Sequence, residues 1–109
     1  MAKKKNVSKF LIGAGVAAAV AAGVVGFLTQ TKKGKELTKK GKDAAGEIAK
    51  NVAVKAEKMK VATKAKYDEI VDDVVAEYQK KKKITKSTAD ELATELKKEW
   101  IKVKRELKK

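Results

Sequence analysis

The sequence predicts an all-α protein, and three observations carry the prediction. Residues 10–28 read FLIGAGVAAAVAAGVVGFL, nineteen residues without a charge or a hydroxyl, in a chain in which 39% of the residues are charged. The chain has no proline to interrupt a helix, and no strand-like alternation of Val, Ile and Thr. Beyond the uncharged run, apolar residues recur at helical spacing. The sequence thus predicts one N-terminal transmembrane helix, a long amphipathic helix with an eleven-residue repeat, and a shorter C-terminal helix.

These elements divide the chain into three predicted regions. A basic flank covers residues 1–9, the transmembrane helix covers 10–28, and a Lys-rich tail covers 29–109. Within the tail, we expect helices at about 36–82 and 88–107.

The uncharged run has the length of a membrane span. At 1.5 Å of rise per residue it makes a helix of about 28 Å, and the hydrocarbon layer is about 30 Å thick. A signal peptide cut after Ala21 is the alternative, but it would leave AGVVGFL on the mature end, whereas such apolar regions stop near the cut. Lysines flank the run and suit lipid headgroups: Lys3, Lys4, Lys5 and Lys9 before it, and Lys32, Lys33 and Lys35 after it. The sequence therefore predicts an uncleaved single-pass protein of the cell membrane, and the lysines beside the run favour a cytoplasmic tail.

Small residues form two rows along the uncharged run. One row is Gly15, Ala19 and Gly23, and the other is Ala14, Ala18, Ala22 and Gly26. Such rows let two helix backbones approach closely in lipid, although a run rich in Ala and Gly also produces them by chance. They predict packing of the membrane helix, and a homo-oligomer formed through this helix or through the tail is an open possibility.

The tail carries an eleven-residue repeat. From Leu37 to Tyr78, apolar or small residues recur in steps of four, four and three. Eleven residues make three helical turns, so the stripe stays nearly parallel to the axis of a helix about 62 Å long. This stripe has two possible roles: to lie on anionic lipid with lysines at its borders, or to form the seam of a helical pair or coiled coil.

The C-terminal helix repeats the same rhythm. Thr88 and Glu91 have the spacing of a capping box, and a turn near Ile84 would fold this helix back on the first. Neither Gly nor Pro marks the turn, so one bent helix is the alternative to a hairpin. The residues that a hairpin would pack together are Tyr67, Ile70, Val74 and Tyr78 on the first helix, and Leu92, Leu96, Trp100 and Val103 on the second.

Composition argues against catalysis. The absence of Cys and His removes disulfides, thiolate ligands and the commonest general base. Residues 13–18, GAGVAA, match a dinucleotide-binding fingerprint, but no second strand follows to complete the βαβ unit. We therefore expect no catalytic residue, no cofactor and no metal. The net charge of +14 suits anionic lipid, whereas nucleic acid is disfavoured because Arg105 is the single arginine.

Residues 31–37, TKKGKEL, follow the uncharged run and lead into a tail rich in Lys and Ala. In this arrangement, the segment from Lys9 to about Lys50 resembles the small bacterial YtxH-like proteins associated with the general stress response. In the family, Ala-Pro often precedes the Lys-Gly-Lys-Glu-Leu segment, whereas this chain has Gln30 and Thr31 there. The resemblance implies a single-pass membrane protein and brings no catalytic residue. We expect a membrane-anchored helical scaffold or envelope-stress protein; the alternative is a membrane-tethered, Lys-rich binder of nucleic acid or anionic lipid.

Overall fold

Six helices make up the described part of the chain, and residues 2–108 contain no strand. The computed structural model describes the backbone of residues 2–108 and the side chains of residues 15–108. The side chains of the predicted basic flank and of Ala14 lie outside this part. The helices are α1 (Ala2–Gln30), α2 (Lys32–Glu36), α3 (Lys39–Glu57), α4 (Lys64–Lys80), α5 (Lys86–Lys97) and α6 (Trp100–Leu107). The predicted all-helical class is confirmed for these residues.

The uncharged run lies at the centre of a helical bundle. It forms most of α1, which packs against α3, α5 and α6, while α4 packs against α3 and α5. Its bulky residues Val16, Val20, Val24 and Phe27 are buried in the same core as the tail residues. A transmembrane helix would lie in lipid, apart from the tail, whereas in the structure the apolar faces of the tail helices are buried against this helix.

Within the residues that the structure describes, none of the helices combines the length and the apolar character that crossing a membrane requires.

The structure corrects the predicted helix at 36–82, which is divided into α3 and α4, while Glu36 belongs to the end of α2. Thr38 and Thr63 interrupt it, because each takes an extended backbone conformation and accepts a hydrogen bond from an amide of the helix that follows. These bonds join Thr38 Oγ1 to the Gly41 amide and Thr63 Oγ1 to the Lys66 amide, each at 3.2 Å. A straight helix of about 62 Å would exceed the longest dimension of the bundle, 37 Å. Folding the stripe back at residues 58–63 buries it on neighbouring helices instead.

The predicted C-terminal helix also differs in its limits. It begins at Lys86, because Thr85 rather than Thr88 is the N-cap and accepts from the Thr88 amide at 3.1 Å. It then breaks at residues 98–99 into α5 and α6. Residues 81–85 connect α4 to α5, and Lys82 in this connection has a φ of 61°, the left-handed conformation that often ends a helix. α4 and α5 pack against each other. Tyr67, near the start of α4, bonds to Leu96, near the end of α5, so the two helices run in opposite directions, as in a hairpin.

Candidate functional surface on the central helix

The first row of small residues on α1 faces α5 and α6. A Cβ on Gly23 would lie 2.9 Å from Glu99 Cγ and 3.2 Å from Leu96 Cδ2. A Cβ on Gly15 would meet the side chain of Glu106. Ala19 lies between the two glycines and is buried. This row therefore serves close helix packing within one chain, where the partners are the C-terminal helices of the same molecule.

The described members of the second row of small residues, Ala18, Ala22 and Gly26, lie at the surface. Ala18 and Ala22 are exposed, and a Cβ on Gly26 would have no atom within 4 Å. Ala21 is exposed beside them, and Val25 retains 56% of its accessible surface. We call the set Ala18, Ala21, Ala22 and Val25 the exposed face of α1. It is apolar, it follows one side of the helix, and it lies within the uncharged run.

The predicted tail residues come together in the core. Tyr67, Val74, Tyr78, Leu92, Leu96, Trp100 and Val103 are buried, and Ile70 is partly buried against them. A turn near Ile84 predicts that residues whose numbers sum to about 170 lie opposite each other, so that Tyr67 would meet Val103. Instead, the rings of Tyr67 and Trp100 lie 5.4 Å apart, and the Tyr67 hydroxyl donates a hydrogen bond of 2.7 Å to the Leu96 carbonyl oxygen. Lys97 Nζ lies 2.8 Å from Asp72 Oδ1 on the outside of the same hairpin.

Two tyrosine hydroxyls join the helices of the tail. Burial raises the pKa of Tyr67, and the nearby carboxylates of Glu99 and Asp68 raise it further. The Tyr78 hydroxyl accepts from Asn51 Nδ2 at 2.9 Å and donates to Glu47 Oε1 at 3.1 Å. Burial, followed by the bond to Glu47, raises the pKa of Tyr78. These bonds hold α4 to α5 on one side and to α3 on the other.

The contact between Tyr78 and α3 is not predicted by the sequence pattern. Glu47 and Asn51 lie one turn apart on the polar border of α3, and their partner is 27 or more residues away. Their only signal in the sequence is the i, i+4 spacing of two polar residues, which is common on exposed helix faces.

The surface is dominated by lysines, and three of them form a recurrent pattern. Lys39, Lys64 and Lys86 each follow an N-cap threonine and pair with an aspartate four residues later, at 2.8–3.1 Å. These pairs are exposed, so each stabilises its helix by a few tenths of a kcal/mol. Within the described residues, no group of acidic side chains is placed to hold a metal ion.

Comparisons with protein-family models, with curated proteins and with solved structures found no match. The resemblance to YtxH-like proteins therefore stays a prediction.

Proposed function

We propose that this protein is a non-catalytic, membrane-associated helical scaffold, and that residues 10–28 are its bilayer-binding segment. The exposed face of α1 is the observation that carries the proposal. Four apolar residues follow one side of a helix, within nineteen residues that contain no charge. An apolar face at the surface, bordered by lysines along the chain, matches the chemistry of a bilayer interface.

By composition, the segment would favour insertion into a bilayer only weakly. Nine of its nineteen residues are Leu, Ile, Phe or Val, and the others are Gly or Ala. Each of the larger residues favours insertion by about 0.3–0.6 kcal/mol, whereas one lysine at the centre of a span opposes it by about 2.5–3.5 kcal/mol. One charge within the segment is therefore enough to weaken insertion strongly.

The proposal is tested by placing one lysine on either of two exposed sites. Ala22→Lys puts the charge on the exposed face of α1, and Ile101→Lys puts it on α6, where Ile101 is 69% exposed. Neither substitution buries a charge in the bundle. The measurement is flotation with phosphatidylcholine vesicles in high salt, which suppresses attraction between lysines and lipid. We expect wild type and Ile101→Lys to float and Ala22→Lys to stay in solution. Equal flotation of the two variants would contradict the proposal, and so would a wild type that does not float.

Localisation and biological role follow from the same proposal. The protein would belong to the cell membrane with its tail in the cytoplasm, because the lysines at 32–42 outnumber those before the run. The resemblance to YtxH-like proteins suggests, in addition, a role in the envelope stress response.

Binding of anionic lipid by the tail is a second candidate function. Lys80, Lys81, Lys82 and Lys83 are exposed, and most of them lie in the connection between α4 and α5. Their charge would attract phosphate groups without sequence or headgroup specificity. Adding phosphatidylglycerol to the vesicles tests this function. Replacing the four lysines by glutamine is expected to remove the additional, salt-sensitive binding and to leave flotation with phosphatidylcholine unchanged.

A further inference from the structure

We propose that the bundle is a closed state in which the tail helices keep α1 out of the bilayer. In this proposal α3, α5 and α6 form a removable cover, and α1 inserts only after the cover has left it. The inference rests on the proposed function, because it concerns how the bilayer-binding segment is made available.

The cover occupies surfaces of α1 that lipid would have to reach. The bulky residues Val16, Val20 and Val24 are buried in the bundle core. On the side of Gly15 and Gly23, the cover lies so close that a Cβ would already touch Glu106 or Glu99. Among residues 15–28, whose side chains the structure describes, the exposed face of α1 is the apolar surface left open while the bundle is closed. Contact through this face alone would leave the bulky residues buried in protein.

The chemistry of the cover shows why it cannot enter the hydrocarbon together with α1. Half of residues 86–107 are charged. The Glu99 side chain is 16% exposed and faces Gly23, and its Oε1 lies 3.4 Å from Lys102 Nζ. The Glu106 side chain likewise lies against Gly15. Ionised side chains are strongly disfavoured at the centre of a bilayer, so insertion of α1 requires that α5 and α6 separate from it.

The hairpin provides a way for the cover to leave as a unit. Tyr67 of α4 contacts Trp100 and donates to the Leu96 carbonyl, so α4 stays joined to α5 and to the start of α6. Because α4 packs on α3 and α5, these contacts do not depend on α1. The tail helices therefore keep much of their mutual packing when they leave the central helix.

A reversible crosslink between α1 and the cover tests this inference. The chain has no cysteine, so an introduced pair is unambiguous. Glu99 Cγ lies 2.9 Å from the position of a Cβ on residue 23, and Glu99 Cβ is one bond of about 1.5 Å from that Cγ, so the two Cβ atoms are at most about 4.4 Å apart. The pair Gly23→Cys with Glu99→Cys thus falls within the Cβ–Cβ range of a disulfide, about 3.5–4.5 Å. Gly15→Cys with Glu106→Cys is a second pair, in which the three atoms nearest to a Cβ on residue 15 belong to the replaced Glu106 side chain.

The readout is flotation of the full chain with phosphatidylcholine vesicles, before and after reduction. We expect the fraction of protein that floats to be at least about tenfold smaller for the oxidised pair than for the reduced pair. The crosslink would force the charged residues of the cover into the hydrocarbon together with α1. Reduction should restore flotation, and the single-cysteine variants should float in both conditions.

Three outcomes would overturn the inference. Equal flotation of the oxidised and reduced pairs would show that α1 inserts with its cover in place, while the proposed function would stand. Failure of both pairs to oxidise in the absence of lipid would show that α5 and α6 do not cover α1. Absence of flotation by the wild type and the reduced pair would instead overturn the proposed function, and the inference with it.

Discussion

Gly34→Ala should destabilise the bundle, because α2 lies directly on the end of α1. A Cβ on residue 34 would meet the carbonyl oxygen of Phe27, and it would lie 2.6 Å from the carbonyl carbon of Phe27 and 2.8 Å from Leu28 Cα. All three atoms belong to the backbone, so no side chain can rotate to make room. Overpacking of this kind typically costs about 1–3 kcal/mol, and the better helix propensity of alanine returns at most about 1 kcal/mol. We expect a net loss of about 2 kcal/mol, since backbone atoms are the least able to yield.

Gly46→Ala is the matched control. Gly46 is exposed within α3, and a Cβ there would have no atom within 4 Å. The same chemical change should therefore stabilise the protein by about 0.5–1 kcal/mol through helix propensity alone.

Thermal unfolding followed by circular dichroism compares the two variants. For a domain of about 100 residues, 1 kcal/mol shifts the melting temperature by about 4–8 °C, so the two variants should differ by more than about 10 °C. If Gly34→Ala were as stable as Gly46→Ala, α2 would not lie against the end of α1 and this part of the packing would be wrong.

Three further predictions concern the tail. Trp100→Ala should lower the free energy of unfolding, measured in urea, by about 3 kcal/mol, because Trp100 is buried against Tyr67. The control Ile101→Ala should change it by less than about 0.5 kcal/mol. Similar losses for both variants would refute the burial of Trp100. Tyr67→Phe should cost about 1 kcal/mol through the lost bond to the Leu96 carbonyl. Burial raises the pKa of Tyr67 above its ordinary 10.0, so as the pH rises past 10 the unfolded chain loses the hydroxyl proton before the folded protein does. Above pH 10 the stability of the wild type should therefore fall more steeply than that of Tyr67→Phe. Parallel pH profiles of stability for the two proteins would contradict this. Thr63→Ala should remove the α4 N-cap at a cost of about 1 kcal/mol, and Thr63→Ser should retain it; equal losses from both substitutions would show that the hydroxyl does not cap the helix.

The sequence predicted the class of the fold and the packing residues of the tail because both depend on local periodicity. Tyr67 and Val74 of the eleven-residue stripe are buried, and so is Leu96 of the C-terminal helix, as their spacing indicates. The breaks at Thr38 and Thr63 were missed, although both residues had the character of an N-cap. A continuous eleven-residue stripe favours one long helix, and a sequence pattern does not contain the length limit that a compact bundle imposes.

The partner of α1 could not be predicted from its residues. An uncharged run is compatible with lipid and equally with the apolar faces of other helices, and hydropathy does not distinguish between them. The Gly15, Ala19 and Gly23 row did indicate close packing on one side of the helix. Whether the approaching helix comes from another molecule or from the same tail depends on contacts at long range along the chain, such as that between Gly23 and Glu99.

Depth-dependent fluorescence quenching tests the central claim most directly, namely that residues 10–28 enter the bilayer. The measurement uses two single-cysteine variants, Ala22→Cys on the exposed face of α1 and Ile101→Cys on α6, each carrying the same environment-sensitive fluorophore. Both positions are exposed in the bundle, so labelling leaves its core intact. Phosphatidylcholine vesicles then carry a nitroxide quencher either at the middle of the acyl chains or at the headgroup. The account predicts that the label at residue 22 is quenched most by the acyl-chain nitroxide and that the label at residue 101 is not. Weak quenching at residue 22 by both nitroxides, equal to that at residue 101, would contradict it.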